Sequence, residues 1–396
     1  MVHVLFIQSI IKWILLLNGF PTDFGDYFFG TILQVSSNAG SLKGFSMGIL
    51  ISVIIIWLIN YTIIKSGVKN GLEKASRIFM PALFILTLVL VIRGITLPGA
   101  MEGLNWYLTP NFNALLYPSV WISAFSQIFY SLSLGFGIMI AYASYLPKKV
   151  DLTTSAFTIS FLNCGYSFLA GFAVFSTLGY MAYSTGAPLN EIVDKSIGLA
   201  FIVFPKALSL MPFMGLELTI VFFLALTIAG LSSSISLVEA MTAAVMDKFD
   251  VSRKKAISVV ACLGLLGSLI YTTKAGIYWI DIIDHFTAGY MLPIVGCAET
   301  IMAMWIFKGD KLLNHLNNLS DIKIGKYWKL FAGILTPLLL LLIIGLDIMN
   351  LLKVPYGGYS WKYLGIGASI VGLGFLISII LSKIPWSKNI ESWMNS

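Results

Sequence analysis

Long apolar runs, separated by short polar and basic stretches, recur along nearly the whole chain. Runs near 45–64, 78–97, 119–146, 153–183, 213–246, 256–273, 286–307, 331–350 and 363–382 are each long enough to predict a helix that crosses about 30 Å of hydrocarbon. A shorter apolar piece at 4–18, interrupted by Lys12, precedes them. It is too short for a comfortable span and lacks the small-residue cleavage site of a signal peptide. Outer-membrane barrels carry short alternating segments instead, so the pattern predicts an all-α polytopic membrane protein.

Two of the intervening stretches are long. Residues 97–118 contain Trp106 and three prolines, material suited to the membrane interface. Residues 184–212, "STGAPLNEIVDKSIGLAFIVFPKALSLMP", read as two short helical pieces separated by Phe204-Pro205. A loop that apolar either dips into a vestibule as a lid or packs at the interface.

Composition sharpens this picture. The 396 residues are 58% hydrophobic and 11% charged, against about 25% charged in soluble globular chains. A water-soluble fold is excluded. The net charge of +7 comes from basic loops, because most of the 25 Lys and Arg residues collect on alternate connections such as 65–77 and 247–256. The positive-inside rule makes those loops, and the C-terminus, cytoplasmic. The charge excess is therefore a topology signal and implies no nucleic-acid partner. Cys164, Cys262 and Cys297 all fall within spans and suggest neither a disulfide framework nor a metal site.

Polar groups at bilayer depth are expensive and mark cavities or helix contacts. The run 119–146 contains "SLSLGFG", residues 131–137. Its glycines either form a close-packing face or let the helix come apart, and non-helical backbone survives at that depth only inside protein or along a cavity. Asn163 and Ser167 lie four apart on one helix face, where they serve an ion or make interhelical hydrogen bonds. Ser232 and Ser233 follow Ala229 by three and four residues, so their hydroxyls can converge with its carbonyl. That arrangement suits a hard cation, or equally serines bonding back along their own helix. Intramembrane or span-end carboxylates are Glu239, Asp247, Asp281, Asp284 and Glu299.

The blocks "GLEKASRIFMPALFILTLVLVIRGITLPGAMEGLNWYLTPNF", "SQIFYSLSLGFGIMIAYASY", "LNCGYSFLAGFAVFSTLGYMA" and "IAGLSSSISLVEA", in this order and spacing, resemble the neurotransmitter:sodium symporter family, also called the sodium:neurotransmitter symporter family. The resemblance runs from about residue 45 to the end. It implies a LeuT-type inverted-repeat bundle whose sixth helix, 119–146, is broken at the midplane, with 184–212 as the loop that caps the vestibule.

The same resemblance assigns residues. Ser131 and Asn163 would bind a first sodium ion, and Ala229 (by its carbonyl), Ser232 and Ser233 a second. Tyr130, Ser133, Phe136, Ser233 and Leu237 would line the substrate pocket. Gln127, Ser131, Asn163 and Ser167 match the pattern of chloride-dependent members. Tyr145 and Asp247 would belong to the cytoplasmic gate and Asp284 to the extracellular gate.

Nothing in the chain resembles the family's helices 1 and 2, and residues 1–44 correspond to part of helix 3 and the second extracellular loop. Residues 45–383 form the symporter core, helices 4–12 of the family, and 384–396 a short cytoplasmic tail. The implied protein is a multi-pass cell-membrane transporter, not an enzyme. It would be a sodium-coupled, chloride-linked symporter for an amino acid or related small amine, with no cofactor beyond its ions. The alternative is a non-transporting truncated remnant or partial subunit. Implied partners are the substrate, the lipid bilayer, and either a second copy of the chain or a separate N-terminal piece.

Overall fold

The structure is a computed structural model that describes residues 20–385 except 148, 193–195 and 212. The apolar piece at 4–18 and the end of the tail, 386–396, lie outside the described residues. The described chain is helical, with a single isolated β-bridge between Phe45 and Thr273.

Among the described residues, eight helices are long and apolar enough to cross a membrane. These are α1 (Met47–Lys65), α2 (Val68–Ile95), α5 (Leu152–Thr185), α6 (Gly215–Phe249), α7 (Arg253–Thr272), α8 (Gly276–Ile306), α9 (Tyr327–Gly358) and α10 (Trp361–Lys383). The remaining expected span, 119–146, is two shorter helices instead: α3 (Pro118–Ser131) and α4 (Ile138–Ala143). Every other apolar run becomes one helix, although α2 and α8 start ten residues before the expected runs at 78 and 286, and α9 extends eight residues past 350.

Several helices widen for one turn into i→i+5 hydrogen bonding. Three such turns, Leu199–Val203, Thr287–Met291 and Phe331–Leu335, each end two residues before a proline: Pro205, Pro293 and Pro337. Proline has no N–H and its ring crowds the carbonyl four residues back. The wider turn lets that carbonyl accept from a residue one step further on, so the helix continues through the proline. This corrects one expectation: Phe204-Pro205 does not separate two pieces, because Leu199–Ser209 is one continuous helix.

Two compact units carry the packing. The first comprises residues up to Asn111, Gly165–Val238 and Arg253–Ile277. Its core joins Phe28, Ile32, Val53, Phe201, Phe204, Leu208 and Phe223. The apolar segment 196–211 is therefore packed into a protein core, with Phe28 stacked on Phe201 at 4.8 Å. Polar links cross its helices too: Trp57 Nε1 donates to Ser268 Oγ at 3.1 Å and Thr87 pairs with Tyr166 at 2.6 Å.

The second unit comprises Phe112–Cys164, Glu239–Ser252 and the chain from Tyr278 on. Here α8 packs along α9. Phe129 of α3, Cys297 of α8 and Leu340 of α9 form a small buried cluster. Gly296 makes this possible, because a Cβ there would run into the Phe129 ring.

Candidate functional site

In the second unit, α3 ends at Ser131 and α4 begins at Ile138. Between them, Ser133, Gly135 and Gly137 take left-handed backbone conformations with φ of +56°, +77° and +73°. A left-handed L-residue costs roughly 1–2 kcal/mol, which glycine avoids. The break is therefore built on two glycines and one strained serine. The break of the long run, not a packing face, is what the glycines permit.

Three contacts hold the break open. The Gly135 N–H donates to the Glu299 carboxylate of α8. A Cβ at Gly135 would lie 2.9 Å from the Leu292 carbonyl, so α8 approaches too closely for any side chain. Leu134 N–H donates to the Phe129 carbonyl at 3.1 Å, which closes the end of α3 with a wide turn.

Around this break the expected residues group as follows. Asn163 Nδ2 donates to Ser131 Oγ at 3.0 Å, so the two candidate first-site ligands are in direct contact. Tyr130 and Phe136 meet edge to face at 5.9 Å across the turn that carries Ser133. Gln127, Tyr130 and Asp284 line one cavity of about 430 Å3, with Ser126, His285 and Leu292. Ser167 lies one helical turn beyond Asn163 on α5. It makes no side-chain hydrogen bond to a described residue.

Tyr145 donates to Glu239 Oε1 at 2.5 Å. Glu239 is fully buried, and a buried carboxylate requires such partners. Asp247 lies two turns further along α6, exposed, and pairs with no described residue. Glu239, flagged by its depth in the span but given no role, is the carboxylate that Tyr145 engages.

In the first unit, the expected second-site groups sit on an unbroken stretch of α6. Ser232 Oγ and Ser233 Oγ both donate to the Ala229 carbonyl, at 2.7 and 3.2 Å. Three oxygens thus converge within one turn, while the serines satisfy themselves along their own helix. Leu237 follows Ser233 by one turn and is exposed. The third serine, Ser234, faces α1 instead, where it accepts from buried Asn60 Nδ2 at 2.7 Å. Asn60 escaped the sequence reading, although an amide within "WLINYTIIK" is itself an intramembrane polar group. His285 and Asp347 were likewise passed over.

The sodium:neurotransmitter symporter family description matches residues 21–393. An uncharacterized sodium-dependent transporter of Methanocaldococcus jannaschii is 54% identical over 380 residues, covering 96% of this chain and 77% of the relative. A sodium-dependent dopamine transporter of Caenorhabditis elegans is 32% identical, covering 83% of this chain and 53% of its own length. A human sodium- and chloride-dependent neutral and basic amino acid transporter B(0+) is also 32% identical, at 84% and 53%. The chain spans about half the length of the latter two curated relatives.

Proposed function

The chain belongs to the sodium:neurotransmitter symporter family, and on that premise we propose that it is the core of a sodium-coupled symporter for an amino acid or related small amine. The observation that carries this reading is the broken helix with Ser131 against Asn163 at its edge. Interrupted helices expose backbone carbonyls and amides at the bilayer midplane, where secondary transporters build ion and substrate sites. The family is one of transporters rather than enzymes.

In this reading, Ser131 Oγ and the Asn163 amide oxygen contribute to one sodium site, and sodium displaces the hydrogen bond that now joins them. The Ala229 carbonyl with the Ser232 and Ser233 hydroxyls contributes to a second, where sodium replaces the back-bonds within α6. Neutral oxygens suit a hard cation of single charge. Tyr130, Ser133 and Phe136 are substrate contacts at the break, and Ser233 and Leu237 are substrate contacts on α6.

Chloride is the proposed second ion. Gln127, Ser131, Asn163 and Ser167 offer hydroxyl and amide donors and carry no negative charge of their own. Tyr145 with Asp247, and Asp284, are proposed as gate residues. Glu239 joins the first set through its bond to Tyr145. The basic connections support a cytoplasmic C-terminus in the cell membrane. The sodium gradient then drives alternating access: occupied sites close one gate before the other opens.

Uptake of labelled alanine, leucine and dopamine by the full chain in proteoliposomes tests the proposal. An inward sodium gradient is expected to raise uptake of at least one of them severalfold over a potassium control. Equal uptake in sodium and potassium sinks symport, and no uptake of any probe sinks transport by this chain alone.

A further inference from the structure

Beyond the broken helix, the wall of the same cavity contains a cluster of ionisable groups with no role in the mechanism above. His285 of α8 is nine-tenths buried, and its Nε2 lies 3.7 Å from Asp347 Oδ2 of α9. That separation is an ion-pair distance, beyond hydrogen-bond length. Neither atom has a hydrogen-bond partner among the described residues, and both are shut off from solvent. The buried hydroxyl of Tyr290, one turn on from His285, faces the same Asp347 carboxylate. Unsatisfied buried polar atoms each cost about 1–3 kcal/mol, so His285 Nε2 and Asp347 Oδ2 facing each other point to something that joins them.

The surroundings suggest what that is. Tyr356 lies flat on the imidazole of His285, with ring centroids 3.8 Å apart and planes within 6°. An aromatic face so placed favours a cation. The hydroxyls of Tyr356 and Tyr359 both donate to Asp281, each at 2.9 Å, which engages both oxygens of that carboxylate as acceptors. Asp281, Asp284 and Asp347 are the charged groups facing His285, and Tyr290 and Tyr356 the neutral titratable ones. Among the described residues, the charged groups facing His285 include no lysine or arginine. His285 also lines the cavity beside Asp284 and Tyr130.

We propose that His285, Asp347 and Tyr290 form a proton-binding site in the cavity wall. A proton from water bonds to the lone pair of His285 Nε2, which then donates to Asp347 Oδ2; the Tyr290 hydroxyl donates to the same carboxylate with or without that proton. One bound proton thus joins the two facing atoms, His285 Nε2 and Asp347 Oδ2. Histidine is the side chain whose unperturbed titration lies between pH 5 and 8, which makes His285 the group of the three suited to take up and release a proton. Because it adjoins Asp284, its occupancy changes the charge of the cavity. That coupling rests on the symporter reading; proton binding itself does not.

The test uses the full chain, labelled with 15N-histidine, in lipid nanodiscs. The sequence has three histidines, so His285→Gln assigns the His285 signal by its loss. The expected result is a His285 titration between pH 5 and 8 whose midpoint shifts by about one pH unit in Asp347→Asn. A signal constant from pH 5 to 9, or an unchanged midpoint in Asp347→Asn, overturns the site. A signal that responds to sodium or zinc at constant pH, but not to pH, overturns it in favour of a metal cation. A second arm compares sodium-driven uptake at pH 5.5 and 8, where His285→Gln is expected to abolish the difference. Absence of uptake in the parent chain refutes the symporter reading alone, because the titration still reads the proton site.

Discussion

Two polar stretches of similar composition meet the bilayer in opposite ways. "SLSLGFG" at 131–137 is an open turn between two short helices, whereas "AGLSSSIS" at 229–236 is an unbroken part of α6. Both contain glycine and several serines. In α6, the hydroxyls of Ser232, Ser233 and Ser236 return to carbonyls one turn back, and every residue keeps its place in the helix. At the break, the backbone leaves the helix where another element receives it: Glu299 accepts from the Gly135 N–H, while Asn163 holds the Ser131 side chain. Serine and glycine alone therefore do not break a membrane helix. An external partner for the freed backbone groups does.

The comparison breaks most sharply at Gly135. Gly135→Ala adds a Cβ where φ is +77° and the Leu292 carbonyl is 2.9 Å away. We expect a loss of roughly 2 kcal/mol or more in stability, read as a lowered Tm in detergent, and at least tenfold lower sodium-driven uptake. The same exchange at Gly165 in α5 meets open space, and replacing a helical glycine stabilises by up to about 1 kcal/mol. Equal effects at the two positions would refute the account of the break.

Next in size are the ion ligands on the two sides. Asn163→Ala is expected to raise the sodium concentration for half-maximal uptake about tenfold, and Ser232→Ala to raise it by a similar or smaller factor. One lost ligand contact of about 1.4 kcal/mol corresponds to tenfold. Normal sodium activation in both variants removes these residues from the ion sites. The Asn60–Ser234 contact is a smaller, structural effect. Asn60→Leu should change helix stability by about 1 kcal/mol, within the range of polar contacts between membrane helices, while leaving sodium activation unchanged. A shift in sodium activation would place Ser234 in the site after all.

The smallest effect lies outside the membrane, at the start of α5. Asp151 accepts from the backbone of Asp321 at 2.8 Å and of Thr154 at 2.9 Å. The Asp321 contact, then that of Thr154, holds the Asp151 carboxyl below the usual carboxylate range despite some opposing desolvation. A carboxylate whose folded-state pKa is depressed stabilises fully above its unfolded value and loses that stabilisation as pH falls below it. The native chain should therefore lose slightly more Tm than Asp151→Asn between pH 6 and pH 3. Parallel Tm curves would show that this helix start carries no linked proton.

How much of this was legible in the sequence depends on the range of the cause. Helix type and the place of each span follow from runs of apolar residues, because hydrocarbon demands a continuous internally bonded helix whatever its neighbours; the helices run up to ten residues beyond those runs. The convergence of Ser232 and Ser233 on Ala229 is equally local, since three- and four-residue spacing fixes it in any α-helix. Pro205 misled because a proline removes one hydrogen bond, and whether the helix ends or widens depends on what packs against it.

The residues 131–137 mark the boundary between the two kinds of knowledge. Composition by itself leans to a packing groove, and only the order of neighbouring blocks favours the break. The tertiary structure decided it, by bringing Glu299 and the Leu292 carbonyl from more than 150 residues away against Gly135. It likewise decided that Tyr145 engages Glu239 and that His285 faces Asp347. Local spacing determines which groups share a helix face; only packing between helices determines which buried polar group finds a partner, because that partner lies far along the chain.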